Sequence, residues 1–278
     1  MLTDTVASPR VSHASPSAQV VATRIDAGSV THGRESLAEE TPVTLAYNLA
    51  PYAVMMATPA DLEDFAVGFS LTEGIVADAA EIAHVEVVKY SRAIELQIDV
   101  PPATAATVGG TRTRRLSGRT GCGICGTEEV DRVLRELPVL HNDLTIESAA
   151  IVRAMYELAA RQPLNDETGA VHAAGWSRAD GTLVHVREDV GRHNALDKLI
   201  GALVRAGEPA SEGFVVMTSR GSFELVQKAA LLGVPLLATV SAPTALAVRV
   251  AEGVGLTLVG FAREERLTVY TRGERVVG

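Results

Sequence analysis

The sequence predicts an α/β protein in which helices pack on a largely parallel sheet, preceded by a smaller N-terminal α/β lobe. Three observations predict it. From Phe214 onward, short apolar runs alternate with helix-period segments in the order strand–helix–strand–helix–strand, which implies right-handed crossovers onto parallel strands. Upstream of Pro101, strand-like runs flank one well-marked helix, enough for a small lobe. The composition is that of a globular chain: 278 residues, 47% hydrophobic and 21% charged, long enough to bury a sizeable core.

In chain order, residues 1–18 are rich in Ser, Ala and Pro and read as a disordered tail. Residues 19–108 form the small lobe. In it, Val20–Ile25 and Val43–Tyr47 are short strands. Thr58 as N-cap and Pro59 at the first helical position open a helix with Leu62, Phe65, Ala66 and Phe69 on one face. Gly74 stops it. Val85–Tyr90 and Ala93–Val100 follow as strands, the second alternating Ile94, Leu96, Ile98 and Val100 with polar residues. Pro101–Gly110 reads as a linker or loop, and residues 109–126 as a flexible basic loop.

The main domain spans residues 127–278. Thr127 caps a helix that Pro138 ends, and a second helix runs over about Thr145–Ala160. Gly169–Trp176 and Thr182–Arg187 make a hairpin around Asp180-Gly181. The polar run Glu188–Asn194 opens a helix with Leu196, Leu199, Ile200 and Leu203 on one face. Strand Phe214–Thr218, a helix capped by Ser222, strand Val234–Val240, a helix opened by Pro243 and strand Leu256–Phe261 complete the alternation, with Leu267–Thr271 as a last strand.

The chemistry concentrates first at Gly121-Cys122-Gly123-Ile124-Cys125-Gly126, which holds the chain's only 2 cysteines. Arg112, Arg114, Arg115 and Arg119 precede it, and a cationic field with a helix N-terminus behind it favours the reactive thiolate. Structural zinc sites take four ligands, commonly two such pairs, and no second pair exists here. The pattern of the zinc deaminases is absent as well. Sulfur chemistry is the favoured use, beside dithiol redox, zinc or an inert pair, and the arginines also suit a solvated face. The second concentration lies at the carboxyl ends of the parallel strands, where open sheets hold ligands: Thr218–Ser222, Ser241–Thr244 and Phe261–Arg263. Hydroxyls, helix starts and arginines there suit a phosphate-bearing ligand, although Ser219 and Ser241 fit equally as helix caps. His193 suits either a site lining or a helix-start contact with backbone, and His172 a structural position more than a ligand.

A net charge of −9 argues against a general nucleic-acid or anionic-membrane surface, and 4% aromatic residues supply no stacking platform for single strands. No membrane-length apolar run or secretory pattern is present, and so few cysteines suit a reducing compartment, so a cytoplasmic protein is expected.

Several segments together resemble the formate dehydrogenase accessory sulfurtransferases, the FdhD family. They are Thr58–Glu63, Gly68-Phe69, Thr72–Ile75, Cys122–Gly126, Thr168–Ala173, Asp189–Lys198, Val226–Ala230 and Ser241–Thr244. The resemblance covers nearly everything from about residue 20 onward, and the order and spacing of the segments carry it. It implies a main domain similar to the cytidine deaminase fold and a homodimer. It implies a sulfurtransferase that takes persulfide sulfur from a cysteine desulfurase. The sulfur passes to the molybdenum bis(molybdopterin guanine dinucleotide) cofactor, bound as substrate, for formate dehydrogenase. A guanine nucleotide would substitute for that substrate. Carried over residue by residue, Cys122 bears the persulfide and Cys125 assists, while Phe261, Ala262, Arg263, Glu264, Glu265 and Arg266 contact the cofactor. No resident metal is implied. Two departures stand out: Ser219-Arg220-Gly221-Ser222 inverts the expected Gly-Arg order, and Glu264 and Glu265 sit beside a polyanionic ligand. The alternative is a chaperone that binds and inserts the same cofactor without covalent sulfur chemistry.

Overall fold

The computed structural model describes residues 15–110 and 136–278. Residues 1–14 of the expected tail, the arginines before the CxxC motif, both cysteines and the helix start at Thr127 lie outside the described residues.

The described chain opens with a hairpin, β1 (Ser17–Asp26) and β2 (Ser29–Ala38), so Ser17 and Ala18, assigned to the tail, belong to a strand. A four-stranded sheet follows, in the order β4 (Ala50–Ala57), β3 (Thr41–Tyr47), β6 (Ile94–Asp99), β5 (His84–Lys89). Helix α1 (Leu62–Thr72) lies on it, burying Leu62, Phe65, Ala66 and Phe69 against Val43, Leu45, Ile94, Leu96 and Ile98. The alternation along β6 is the one expected, with Ile94, Leu96 and Ile98 inward.

Pro101–Gly110 is a correction. It holds a helix, α2 (Pro102–Gly110), rather than a linker. Proline is harmless in a first helical turn, and alanines then carry the helix, with Ala105 packed on the lobe core. The start of α1 is a second correction: its N-cap is Asp61, in the left-handed region at φ 52°, not Thr58.

The main sheet has 6 strands in the order β13 (Arg266–Val269), β12 (Thr257–Arg263), β11 (Leu236–Thr239), β10 (Gly213–Met217), β8 (His172–Arg178), β9 (Leu183–Asp189). β10, β11 and β12 are mutually parallel, and β9 runs with them because β8 is antiparallel to both its neighbours. On one face lie α5 (Arg192–Ala206), α6 (Phe223–Leu231) and α7 (Ala245–Val254), closing a core of Leu196, Leu199, Val215, Val226, Leu237, Ala247 and Leu258. On the other, α3 (Ser148–Ala159) packs Ile151, Ala154 and Leu158 on Phe214, Val216, Leu236 and Val259. A short helix, α4 (Pro163–Thr168), precedes β8. Glu188 of β9 accepts from the backbone N–H of Leu164 and Asn165 at its start. β7 (Ile146–Glu147) pairs with β14 (Val276–Val277) near the chain's end. The class is thus mixed α/β, a helix-flanked sheet, as expected.

The two sheets meet through α1 and α5. The helices cross so closely that a Cβ on Gly68 would sit 1.7 Å from the carbonyl oxygen of Asp197, and one on Gly201 1.9 Å from that of Asp64. Helix α5 is consequently buried on nearly all sides from Asn194 to Leu203.

Candidate functional site at the strand ends

Three loops leave the carboxyl ends of β10, β11 and β12, and backbone contacts stitch them into one rim. Gly221 donates to Ala242 (3.3 Å), Thr244 donates to Gly221 (2.9 Å), and Phe261 donates to the Ser241 carbonyl (3.3 Å). Glycine is required at position 260, where a Cβ would lie 2.8 Å from Pro243 Cδ. Helices α6 and α7 begin at this rim, with Ser222 and Thr244 at their N-cap positions. The Thr244 hydroxyl accepts from Ala247 N–H at 3.2 Å. Neither Ser219 nor Ser241 caps a helix. The Ser219 hydroxyl is buried and donates to the Arg220 carbonyl (3.1 Å), while Ser241 engages its neighbours through its carbonyl. Converging helix starts, hydroxyls and Arg220 give an anion a favourable field.

The predicted contact run Phe261–Arg266 is the tip of the β12–β13 hairpin. Arg263 pairs with Arg266, so Glu264 and Glu265 form a two-residue turn at φ 52° and 59°. Positive φ at both positions is the turn that follows strand twist and normally selects Asn-Gly. Phe261, also at φ 52°, is half-buried beside Ser241, whereas Arg263 to Arg266 are exposed. Ala262 is fully buried in the core on the α3 face, which leaves a ligand only its backbone.

The polar run 189–198 divides in two. Asp189, Asn194 and Lys198 are buried and grip the chain between β4 and α1. Lys198 Nζ lies 2.7 Å from Asp189 Oδ2 and donates to the Thr58 carbonyl at 2.9 Å. Asp189 also accepts from the N–H of Thr58 (3.0 Å) and Gly191 (2.8 Å) and from Asn194 Nδ2 (3.0 Å). The Thr58 hydroxyl accepts from Val190 N–H at 3.1 Å. Thr58 therefore fastens lobe to sheet, which is why it is not free to cap α1. A second buried set repeats the device: Lys228 Nζ reaches both Asp197 oxygens (2.8 and 3.0 Å) and the Thr72 hydroxyl (2.8 Å).

His193, by contrast, reaches from the first turn of α5 toward α6, where its Nε2 lies 3.9 Å from Glu224 Oε2. Burial, aided by the positive charges of Arg192 and Lys228 and by His172, pushes its pKa down to about 3, so the ring is neutral at physiological pH. Burial raises the Glu224 carboxyl. His172 opens β8 at the same end, opposite Asp189, and burial lowers it too. Sequence reasoning missed Glu224, because an acid two residues past a serine cap reads as an ordinary helix-dipole partner. Among the described residues, no group of three or more His, Cys, Asp or Glu is placed to hold a metal ion, and no helix is long and apolar enough to cross a membrane. Two hollows of about 450 Å³ each lie away from the rim. One is lined by Leu140–Thr145 and Arg272, the other lies among α1, α5 and α6.

The FdhD/NarQ family model matches residues 38–277 of the chain. The chain belongs to the FdhD/NarQ family. Relatives within it include the sulfur carrier protein FdhD of Xanthomonas euvesicatoria, 54% identical over 87% of this chain and 86% of that one. The sulfur carrier protein FdhD of Bordetella petrii is 46% identical over 96% and 98%. Among solved structures, a protein described as a formate dehydrogenase accessory protein from Desulfotalea psychrophila superposes with a TM-score of 0.73. It is 28% identical and covers 94% of this chain and 99% of its own. FdhD/NarQ membership thus rests on nearly the whole described chain, both sheets included.

Proposed function

We propose that this protein is a sulfur carrier for formate dehydrogenase that bears persulfide sulfur on Cys122 and passes it to the enzyme's molybdenum bis(molybdopterin guanine dinucleotide) cofactor. The observation that carries this reading is the match over most of the chain to relatives named sulfur carrier proteins. The chain's only cysteines, Cys122 and Cys125, are the thiols available for the task. A Cys122 thiolate attacks the outer sulfur of a desulfurase persulfide. A new S–S bond forms at Cys122, and the donor cysteine leaves as thiolate. Cys125 assists in holding or relaying the sulfur. The cofactor is bound as substrate at the strand-end rim, its phosphates toward the helix starts and the Phe261–Arg266 turn, so that proximity supplies much of the transfer rate. A guanine nucleotide would occupy part of the same place. Cytoplasmic location and a homodimer complete the proposal.

Incubation with a cysteine desulfurase and cysteine should add one sulfur atom to the peptide bearing Cys122. Cys122→Ala should abolish that gain and fail to restore formate dehydrogenase in cells lacking the native protein; restoration would sink the covalent reading. The strand-end hydroxyls and helix starts also fit a cofactor-insertion chaperone that needs no thiol. That reading predicts full restoration by the same variant.

A further inference from the structure

Of the two hollows away from the rim, the one among α1, α5 and α6 is apolar inside and acidic around its edge. It measures about 450 Å³, within the range of about 300–1,000 Å³ that binding pockets occupy. Its apolar wall is Leu71, Val76, Ile200, Val204, Leu231 and Leu232. Val76 and Ile200 are buried, but the other four are partly covered, so apolar surface faces water there.

The charge around this wall has one sign. The lining residues come from the C-terminal parts of α1, α5 and α6 and from the chain just after α1, and helix C-termini carry partial negative charge. Glu73 stands at the C-cap of α1, where that dipole disfavours an acid. Asp78 lines the hollow and shares a capping box with Glu81. Among the described residues that line it, none is Lys or Arg. The basic residues in the last turns of α5 and α6 are engaged. Arg205 bonds Glu63 and Asp64, and Lys228 bonds both Asp197 oxygens and comes no nearer than 3.8 Å to Glu73.

These features limit the occupant. None of the lining residues belongs to a strand, so an extended peptide finds no open ladder to join. A helix brings its backbone bonds already made and packs its side chains between those of other helices. An apolar stripe on it would cover the wall, and Lys or Arg flanking the stripe would meet Glu73, Asp78 and Glu81.

We propose that this hollow docks a basic amphipathic helix of a partner protein. Helix α6 starts at the rim and ends at the hollow, 9 residues or about 13 Å away, so a docked partner leaves the rim open. The docking needs neither the cysteines nor the rim, and it stands or falls apart from the sulfur-carrier reading.

Fluorescence anisotropy with the full chain tests this on labelled synthetic peptides: a helical Leu–Lys peptide with one apolar stripe, its Leu–Glu counterpart, and a scrambled Leu–Lys peptide without the stripe. The striped Leu–Lys peptide should bind, and the other two should bind about tenfold more weakly or less. Ala77→Phe, at an exposed lining position, should weaken binding about tenfold by filling the hollow. Glu73→Gln combined with Asp78→Asn should weaken it about fivefold, Asn retaining the cap that Asp78 provides. Glu274→Gln, which removes an acid at the other hollow, should leave it unchanged. No binding, equal binding of all three peptides, binding untouched by Ala77→Phe, or an equal loss in Glu274→Gln would overturn the proposal; the last would show attraction to the acidic chain at large. A wild-type dimer in light scattering that Ala77→Phe converts to monomer would make a second copy the occupant and overturn it as well. Should Ala77→Phe fail to fold by circular dichroism, the paired charge variant and the ranking of the peptides decide.

Discussion

Replacing Lys198 by methionine tests whether the lobe is held to the main sheet by one buried charge pair. Lys198 and Asp189 are both fully buried, 2.7 Å apart, and the ammonium also donates to the Thr58 carbonyl. Methionine fills much of the same volume but leaves the Asp189 carboxylate buried without its counter-charge. Removing one partner of a buried pair costs about 3–5 kcal/mol. Three donors remain on Asp189, from Thr58, Gly191 and Asn194, so the lower end, about 3 kcal/mol, is expected. Against a total stability of roughly 5–15 kcal/mol that is a large fraction. Urea unfolding followed both by circular dichroism and by Trp176, the chain's only tryptophan and fully buried in the main core, measures it. The wild type should show coincident transitions. In Lys198→Met the dichroism should fall first, as the lobe detaches before the tryptophan senses anything. Adding Asp189→Asn, which removes the stranded charge, should recover part of the loss. A cost below about 1 kcal/mol, or a double variant less stable than Lys198→Met alone, would refute the reasoning.

Acid lability should trace in part to His193. Its pKa is about 3 in the folded chain against an ordinary 6.5, so the unfolded state binds the proton between those values. The stabilising difference is complete above about pH 6.5 and is lost as pH falls below it, by about 2 kcal/mol between pH 7.5 and 5. His193→Asn should lose correspondingly less over that interval in paired urea titrations, and identical pH slopes for the two proteins would contradict the assignment. At the β12–β13 turn, Glu264→Asn with Glu265→Gly should raise stability by about 1–2 kcal/mol, because both positions sit at positive φ. A lower unfolding midpoint would show instead that the glutamate side chains support the hairpin.

Much of the fold was legible because period and burial agree. β6 alternates one face in and one out, and the last third strings buried strands between amphipathic helices, so local pattern and tertiary packing give the same answer. Asp180-Gly181 declared its turn, and Gly181 does take a φ of 88°. The misreadings fall where a residue's partner is remote in sequence. Thr58 carries every local mark of a helix cap, yet its N–H, carbonyl and hydroxyl are all claimed by residues 189, 190 and 198. The helix α2 hid behind proline and glycine at its two ends. β2 and β4 went unseen because exposed or interrupted strands lack clean alternation.

The same remoteness governs the site. The loops after β10, β11 and β12 announced themselves as hydroxyl- and arginine-bearing helix starts, and the fold brings them to one rim as parallel-strand geometry requires. Glu224 gave no such sign, since its meaning depends on His193, 31 positions earlier. The polar run 189–198 serves two places, because α5 splits it by face. Asp189, Asn194 and Lys198 turn to the lobe and His193 to α6, one helical start thereby serving both the lobe junction and the rim. A shift of α5 that loosened the Asp189–Lys198 contact would also displace His193. Lys198→Met is accordingly expected to weaken ligand binding at the rim, although Lys198 is buried against the lobe.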